Sequence, residues 1–417
     1  MALVKRKFSF LHKLPQIGAR MISMLLLMLV LFQAPLYFAQ SSSDRSSIAE
    51  FSRRLAIFST NVYTTLVAKN ANQNIIFSPF SIQTCAAMAR MGAKGNTAAQ
   101  LDRGLKLISN NNAKIADSFH KVLATYEKSS ILHIANKIYI KTGYQLRDEF
   151  SSLVSKKFLS AVEPINFENQ KLAADQINSW VALRTNNLIK NIVSPSILSS
   201  DTRLLLINAI HFKGNWVHQF SEKSTRSLPF YLNDAESIRV PIMRMTNRLK
   251  YAKLPALDAA ALELPYKDSD LSLLIVLPNS NTGLPQLERK LLDFPISQIT
   301  KALHFEKVIV HLPKFKTEFD VELTDTFKKL GMTDIFTHRA DFSRMLKSPE
   351  RLHVSNIIHK AFIEVNEIGT EAAAVTVMGV GVKSVKPGFI ANHPFNYYIV
   401  KDHNMVIFAG RLINPTK

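Results

Sequence analysis

The chain has 417 residues, 47% of them hydrophobic, and its 52 basic and 32 acidic residues give a formal net charge of +20. This composition can bury a sizeable core, and the single cysteine, Cys85, excludes an intramolecular disulfide. The basic residues are dispersed in pairs and lack the interleaved aromatic residues that bind single-stranded nucleic acid, so we expect no nucleic-acid partner.

The N-terminus has the features of a secretory leader. Five basic residues and no acidic ones precede or flank an apolar run from Met21 to Phe32. We predict a signal peptide over residues 1–39, cleaved near Ala39, with Met21 as an alternative start. Gln33 and Pro35 interrupt the apolar run well short of the roughly 20 residues that a membrane span needs. An uncleaved signal anchor is the alternative, but we expect a secreted, extracellular protein of net charge +15, with no membrane partner in its mature form.

The mature chain shows no repeat and no inter-domain linker, and helical and alternating patterns follow one another. Cys85 falls in an apolar stretch and is expected to be buried in a helix, with Ser81 as the N-cap. The predicted elements in chain order are a helix over Ile48–Lys69, a strand over Asn74–Phe77, a helix through Met91, helices within Ala98–Phe167 around a strand at Ile131–Ile140, a helix over Leu172–Leu188, a strand within Leu204–Trp216, strands within Val240–Pro278, a strand over Val308–Phe319, a helix ending near Gly331, a strand over Leu352–Asn366, and two strands within Phe395–Asn414.

The segment after residue 366 is unusual for a loop. Residues 372–382 contain no charge and no proline, and most are small or β-branched. Unstructured connections longer than about 12–15 residues are uncommon in compact domains, and disorder is typical of polar, charged segments. If extended, the uncharged residues from Thr370 to Val380 at every second position would share one face that could enter a packed interior. The pattern leaves two interpretations open, a strand held outside a sheet or a permanently paired strand, and Gly379 and Gly381 argue against the second.

Three motifs resemble one known family. The run Gly369-Thr370-Glu371-Ala372-Ala373-Ala374 resembles the hinge of the reactive loop of serpins, which are large suicide inhibitors of serine proteases. The phrases at Asn208–Trp216 and Phe389–Phe395 are also similar to that family. The resemblance covers about residues 45–417. It implies an α+β serpin fold, with helices packed around three β-sheets, in a single domain over residues 40–417 that exposes a reactive loop at about 367–390.

The resemblance also implies where a protease would cut. The family's inhibitors place the hinge at Gly369–Ala374 with Thr376, and the cleaved bond fourteen residues after the glycine, which here is Lys383-Ser384. An independent observation agrees, since Lys386 is the only other basic residue nearby and Pro387 makes a poor cleavage site of it. Lysine predicts a trypsin-like serine protease as the partner, held in a covalent acyl complex.

The remaining implied site is structural. Four residues match polar residues that hold the family's central sheet: Ser78, Ser81, Asn208 and His359. The alternative for His359 is an ordinary hydrogen-bonded histidine in the core, which implies nearly the same role. We find no nucleophile elbow, zinc helix, phosphate loop or cysteine pair, so we expect no catalytic residue, no metal and no cofactor, and a protein that is not an enzyme. We also expect a monomer.

Two alternatives stay open. Ile368 stands where the family's hinge usually carries a charge, which puts the inhibition rate in doubt, and a non-inhibitory serpin-fold carrier, chaperone or storage protein is the second candidate function. Sulfated polysaccharide is a further candidate partner, through the modestly basic region around Lys114, Lys121 and Lys128, although a solvated surface is the favoured interpretation of the basic residues.

Overall fold

The computed structural model describes residues 46–348, 350–368 and 387–417. The described residues from Phe51 onward form one compact unit, and of the preceding unit the structure describes residues 46–50, which are helical. In these ranges every helix is too short or too polar to cross a bilayer. The signal peptide expected over residues 1–39 lies outside the described residues.

Most of the helices carry one buried face. The exception is the second helix, which is buried along its whole length and forms the centre of the core. The helices are α1 (residues 46–69), α2 (Pro79–Gly92), α3 (Gly95–Gly104), α4 (Asn112–Tyr126), α5 (Asp148–Phe158), α6 (Gln170–Arg184), α7 (Leu284–Leu291), α8 (Ile296–Ala302) and α9 (Thr324–Lys329).

The strands form two hydrogen-bonded sheets within the described ranges. They are β1 (Ile75–Phe77), β2 (Leu132–Lys141), β3 (Val162–Ile165), β4 (Leu204–Phe212), β5 (Arg226–Tyr231), β6 (Ser237–Leu254), β7 (Ala259–Pro265), β8 (Leu271–Pro278), β9 (His304–Pro313), β10 (Phe315–Glu322), β11 (Val354–Val365), β12 (Gly388–Ile390), β13 (Phe395–Lys401) and β14 (Met405–Leu412).

The first sheet has five described strands in the order β10-β11-β4-β2-β3. At its centre β11 runs parallel to β4, while β10 and β2 run antiparallel to these two strands. β4 is buried along its whole length, as expected for a strand covered on both faces. One face packs against α6 through an apolar cluster that includes Ile177, Val181 and Phe362.

The second sheet has nine described strands, in the order β1-β14-β13-β8-β7-β6-β9-β12 with β5 also paired to β6. The long strand β6 pairs with β5 through residues 237–242, with β9 through residues 242–251 and with β7 through residues 250–254. It therefore joins two groups of strands into one hydrogen-bonded sheet. Two of the three predicted sheets are thus continuous with each other, and the predicted α+β arrangement is confirmed. β1 closes the other end by pairing with the last strand, Phe77 opposite Ala409.

Local predictions differ from the structure at three places. Ser78, not Ser81, is the N-cap of α2, because Pro79 occupies the first helical position, where a missing N–H costs nothing. The single strand expected over 308–319 is two strands, β9 and β10, separated at Lys314 after Pro313. Helix α6 ends at Arg184, before Asn186 and Asn187, which both have positive φ.

The prediction for Cys85 is confirmed. Its thiol is buried in α2, lies 3.5 Å from the carbonyl oxygen of Ile207, and has a pKa raised by burial to about 12. A thiol with so high a pKa is protonated at neutral pH and therefore unreactive.

Candidate functional site

A row of polar side chains crosses the centre of the five-stranded sheet. The sheet register places His359 of β11 opposite Asn208 of β4, and Asn208 opposite Asn136 of β2. The Asn208 amide oxygen accepts a hydrogen bond from Nδ1 of His359, and its Nδ2 donates to Oδ1 of Asn136. His359 and Asn208 are fully buried and Asn136 is 6% exposed. Three adjacent strands are thus connected by side chains as well as by their backbone ladders.

The N-terminus of α2 adds two serines to this row. The backbone N–H of Ser78 donates to Nε2 of His359 over 3.2 Å, and the Ser78 hydroxyl donates to the carbonyl oxygen of Ile407 over 2.6 Å. The Ser81 hydroxyl lies 3.1 Å from Oδ1 of Asn136 and accepts a hydrogen bond from Nδ2 of Asn208. The helix is therefore fixed to both sides of the β4–β11 boundary.

His359 is held neutral in this environment. Its Nε2 accepts a hydrogen bond from Ser78, so the ring proton sits on Nδ1 and points at Asn208. Burial lowers the pKa of His359 to about 3. Protonation would put an uncompensated charge in the core and remove the acceptor for Ser78, and low pH should loosen the row.

The four residues predicted from the sequence, Ser78, Ser81, Asn208 and His359, therefore lie together in one hydrogen-bonded cluster. The sequence interpretation missed Asn136, which completes the row and leaves its own buried Nδ2 without a partner within the described part of the chain. An asparagine near the middle of the largely apolar strand pattern at 131–140 is the signal that could have identified it.

A second cluster fixes the end of β11, where the loop begins. The indole N–H of Trp216 donates to the carbonyl oxygen of Asn366 over 2.9 Å, and its backbone N–H donates to that of Ile368 over 3.2 Å. The Trp216 ring stacks on Tyr266, with centroids 4.4 Å apart. The chain is thus held up to the last described residue before the loop.

Glu367 adds an ionic anchor at the same place. Its carboxylate lies 2.7 Å from Nζ of Lys314 and accepts a hydrogen bond from the Thr225 hydroxyl at 2.8 Å. Burial acts to raise the pKa of Glu367, but the hydrogen bonds from Lys314 and Thr225 outweigh it and leave the pKa below its ordinary value. The carboxylate therefore stays ionised at neutral pH. None of these anchors was predicted from the sequence.

The other end of the loop is also fixed. The carbonyl oxygen of Pro387 accepts a hydrogen bond from the Ile309 N–H over 3.0 Å, and β12 begins one residue later beside β9. The predicted hinge residues 369–376 and the predicted bond Lys383-Ser384 fall between these two ends and lie outside the described residues.

The lysines considered for polysaccharide binding are exposed. Lys114 and Lys121 lie two turns apart on α4, and Lys128 follows the end of that helix. Among the described residues, no cluster of three or more histidine, cysteine or carboxylate side chains is arranged to hold a metal ion.

Comparisons with known proteins agree on one family. A family model described as serpin (serine protease inhibitor) matches residues 53–415. Serine protease inhibitor 42Dd of Drosophila melanogaster is 37% identical over 361 residues, which cover 86% of this chain and 95% of that protein. The solved structure of cleaved serpin 42Da is 52% identical and covers 88% of this chain and 99% of its own, with a TM-score of 0.82. Native protease nexin-1 with heparin is 29% identical over 88% of this chain and 100% of its own, with a TM-score of 0.79. The chain therefore belongs to the serpin family.

Proposed function

We propose that this protein is a secreted suicide-substrate inhibitor of a trypsin-like serine protease. The observation that carries the proposal is the parallel pair formed by β4 and β11, because β11 leads directly into the loop. A loop segment that reversed direction after β11 and entered between the two strands would run antiparallel to both. It would replace one parallel ladder with two antiparallel ladders, and antiparallel pairing is slightly more stable per residue.

The composition of the segment fits such an insertion. Residues 370–382 can place an uncharged face toward the core, and each inserted residue would gain backbone hydrogen bonds worth about 0.5–1.5 kcal/mol each. A dozen residues acting together can outweigh the polar row that holds β4 and β11 together. The uncleaved protein would then be trapped kinetically, short of its lowest free energy.

The chemistry would belong to the protease. Its serine attacks the carbonyl carbon of Lys383, the bond to Ser384 breaks, and Ser384 leaves with a new amino group. Lys383 remains as the acyl partner of the protease serine. Insertion of the freed segment then carries the protease away and distorts its oxyanion site, where loss of a single donor slows the reaction by about 100- to 1000-fold. Deacylation stalls, and the complex persists.

The experiment is incubation with trypsin, followed by a denaturing gel and N-terminal sequencing of the released peptide. We expect a covalent complex and a peptide that begins at Ser384. Lys383→Ala should abolish complex formation with trypsin, and the matched variant Lys386→Ala should retain it, because Pro387 already blocks cleavage there. Complex formation by the Lys383→Ala variant would contradict the assigned bond.

A heat test separates this function from the non-inhibitory alternative. Cleaved inhibitor should melt at a much higher temperature than intact protein, because insertion completes the sheet. A carrier, chaperone or storage protein whose loop never inserts should show little change. Equal melting temperatures before and after cleavage at Lys383 would therefore favour the alternative. Secretion is tested separately, by sequencing the N-terminus of the protein recovered from the medium of expressing cells.

A further inference from the structure

The outer face of β6 and β9 carries an exposed cluster of positive charge. Arg244, Arg248 and Lys307 are exposed, and the strand register places Arg248 directly opposite Lys307. Arg244 is oriented by a 2.9 Å hydrogen bond from its Nε to Nε2 of His311, whose pKa is lowered by burial and by Arg244 itself. The histidine is thus neutral at neutral pH, and the charge comes from the two arginines and the lysine.

These three cations are not neutralised by the fold. Within the described part of the chain none of them forms an ion pair, and the neighbouring Glu306 projects from the other face and pairs with His304. Like charges directly opposite each other on neighbouring strands destabilise a sheet. The Arg248–Lys307 pair therefore adds a cost to the sheet that no contact in the described structure offsets.

An exposed aromatic side chain continues the same face. Phe305 lies two residues before Lys307 in β9, so both side chains point to one side of the sheet, and Phe305 is 59% exposed. Arginine and aromatic residues are enriched in protein interfaces, where they supply most of the binding energy. Phe305, Arg244, Arg248 and Lys307 together are named the basic sheet face below.

The basic sheet face lies beside the exit of the loop. Gly388 of β12 pairs with Ile309, and Ile309 is two residues from Lys307. Ser384 precedes Gly388 by four positions, so the extended chain can place the proposed bond at most about 14 Å from Gly388. A protease domain of about 200 residues has a radius of gyration of roughly 16–17 Å. A protease bound at that bond would therefore reach the basic sheet face.

We propose that the basic sheet face is a second docking surface for the target protease, and that the target carries an acidic patch beside its active-site cleft. This inference depends on the proposed function, since the docked partner is the protease that cuts the loop. The surface would raise the association rate by electrostatic steering, and the rate would fall as salt is added.

The test measures association rates with two trypsins of like specificity, one with an acidic and one with a basic surface. For the acidic trypsin at low salt, we expect Arg248→Glu/Lys307→Glu to lower the rate by about tenfold or more. For the basic trypsin the rate should stay level or rise. The matched control Arg184→Glu/Lys190→Glu makes the same change in charge at exposed residues in and after α6, and should alter neither rate by more than about twofold.

Several outcomes would overturn the inference. Equal losses from the two double variants would mean that only net charge matters. Unchanged protease rates with weaker retention on immobilised heparin would assign the face to a sulfated polysaccharide. If the glutamate variant misfolds, Arg248→Gln/Lys307→Gln and the salt dependence of the parent with the two trypsins decide the question, and equal salt dependence refutes the proposal. If the parent forms no covalent complex with either trypsin, the proposed function itself fails.

Discussion

Replacing Asn208 with alanine should open the polar row at its centre. The change removes the hydrogen bonds of the amide to His359, Asn136 and Ser81, and it leaves the buried Nδ1–H of His359 without an acceptor. Each lost bond costs about 1 kcal/mol net, and an orphaned buried donor costs about 1–3 kcal/mol. The Ser81 hydroxyl keeps Asn136 as a partner, so the orphaned His359 donor and the two other lost bonds give an expected total loss of roughly 3–5 kcal/mol.

This loss of stability can be measured as a shift in the melting temperature. A unit of this size has an unfolding entropy of roughly 0.8 kcal/mol/K, so the uncleaved variant should melt about 4–6 °C below the parent. Thermal unfolding followed by circular dichroism measures the shift at neutral pH. The matched control is Asn72→Ala, at an exposed position where the side chain forms no hydrogen bond to another described residue, and it should leave the melting temperature unchanged.

The same pair of variants can refute the reasoning. If the Asn208→Ala variant has the same melting temperature as the parent, the polar row does not hold β4 against β11. The cleaved form provides a second check, because insertion would part those strands and remove the Asn208–His359 bond from parent and variant alike. The Asn208→Ala change should therefore lower the melting temperature less after cleavage at Lys383 than before it. An equal loss in the two forms would argue against insertion at this boundary.

Three further predictions address the hinge, the loop anchor and the response to acid. Thr370→Arg would have to bury an unpaired charge at several kcal/mol and should turn the inhibitor into a substrate, whereas Glu371→Arg, on the opposite face, should still form covalent complex on a denaturing gel; undiminished complex from the Thr370 variant would contradict insertion. Glu367→Gln removes an ion pair at the start of the loop and should cost about 2 kcal/mol near neutral pH, and because the carboxylate pKa is lowered, the difference from the parent should shrink as pH falls below about 4.5. Burial lowers the pKa of His359 to about 3 and that of His211 to about 4. Below about pH 6.5 these two histidines are therefore protonated in the unfolded chain but stay neutral in the folded chain. Above that pH these two histidines cost no stability, and at pH 5 they should together lower it by roughly 4 kcal/mol, so His211→Phe should recover about 2 kcal/mol in a melting series.

The sequence predicted the elements better than it predicted their partners. Alternation and apolar content placed β2, β4 and β11 to within a few residues, because these strands are regular and deeply buried. Asn136 was missed because its role depends on register, and a strand's own pattern does not reveal which residue lies opposite in the next strand. His359 was identified through family resemblance, and its neutral state could be argued only after the Ser78 donor was placed.

Other errors came from proline. Pro79 marks the first turn of α2 and makes Ser78 the cap, and Pro313 ends β9, so that a single predicted strand is two. The loop anchors at Trp216 and Glu367 join residues about 150 positions apart, and a contact over that separation cannot be predicted from a local sequence pattern.

The pairing of β1 with β14 bears on biosynthesis. Phe77 meets Ala409 only after 332 further residues have been added, and at roughly 5–20 residues per second a ribosome needs about 20–60 s to supply them. Arg411 arrives later still, and its guanidinium binds the carbonyl oxygens of Asn70 and Ala71. The apolar strand β1 therefore lacks its partner strand in the nascent polypeptide until β14 has been made. A premature stop shortly before Ala409 should yield a product that chaperones retain.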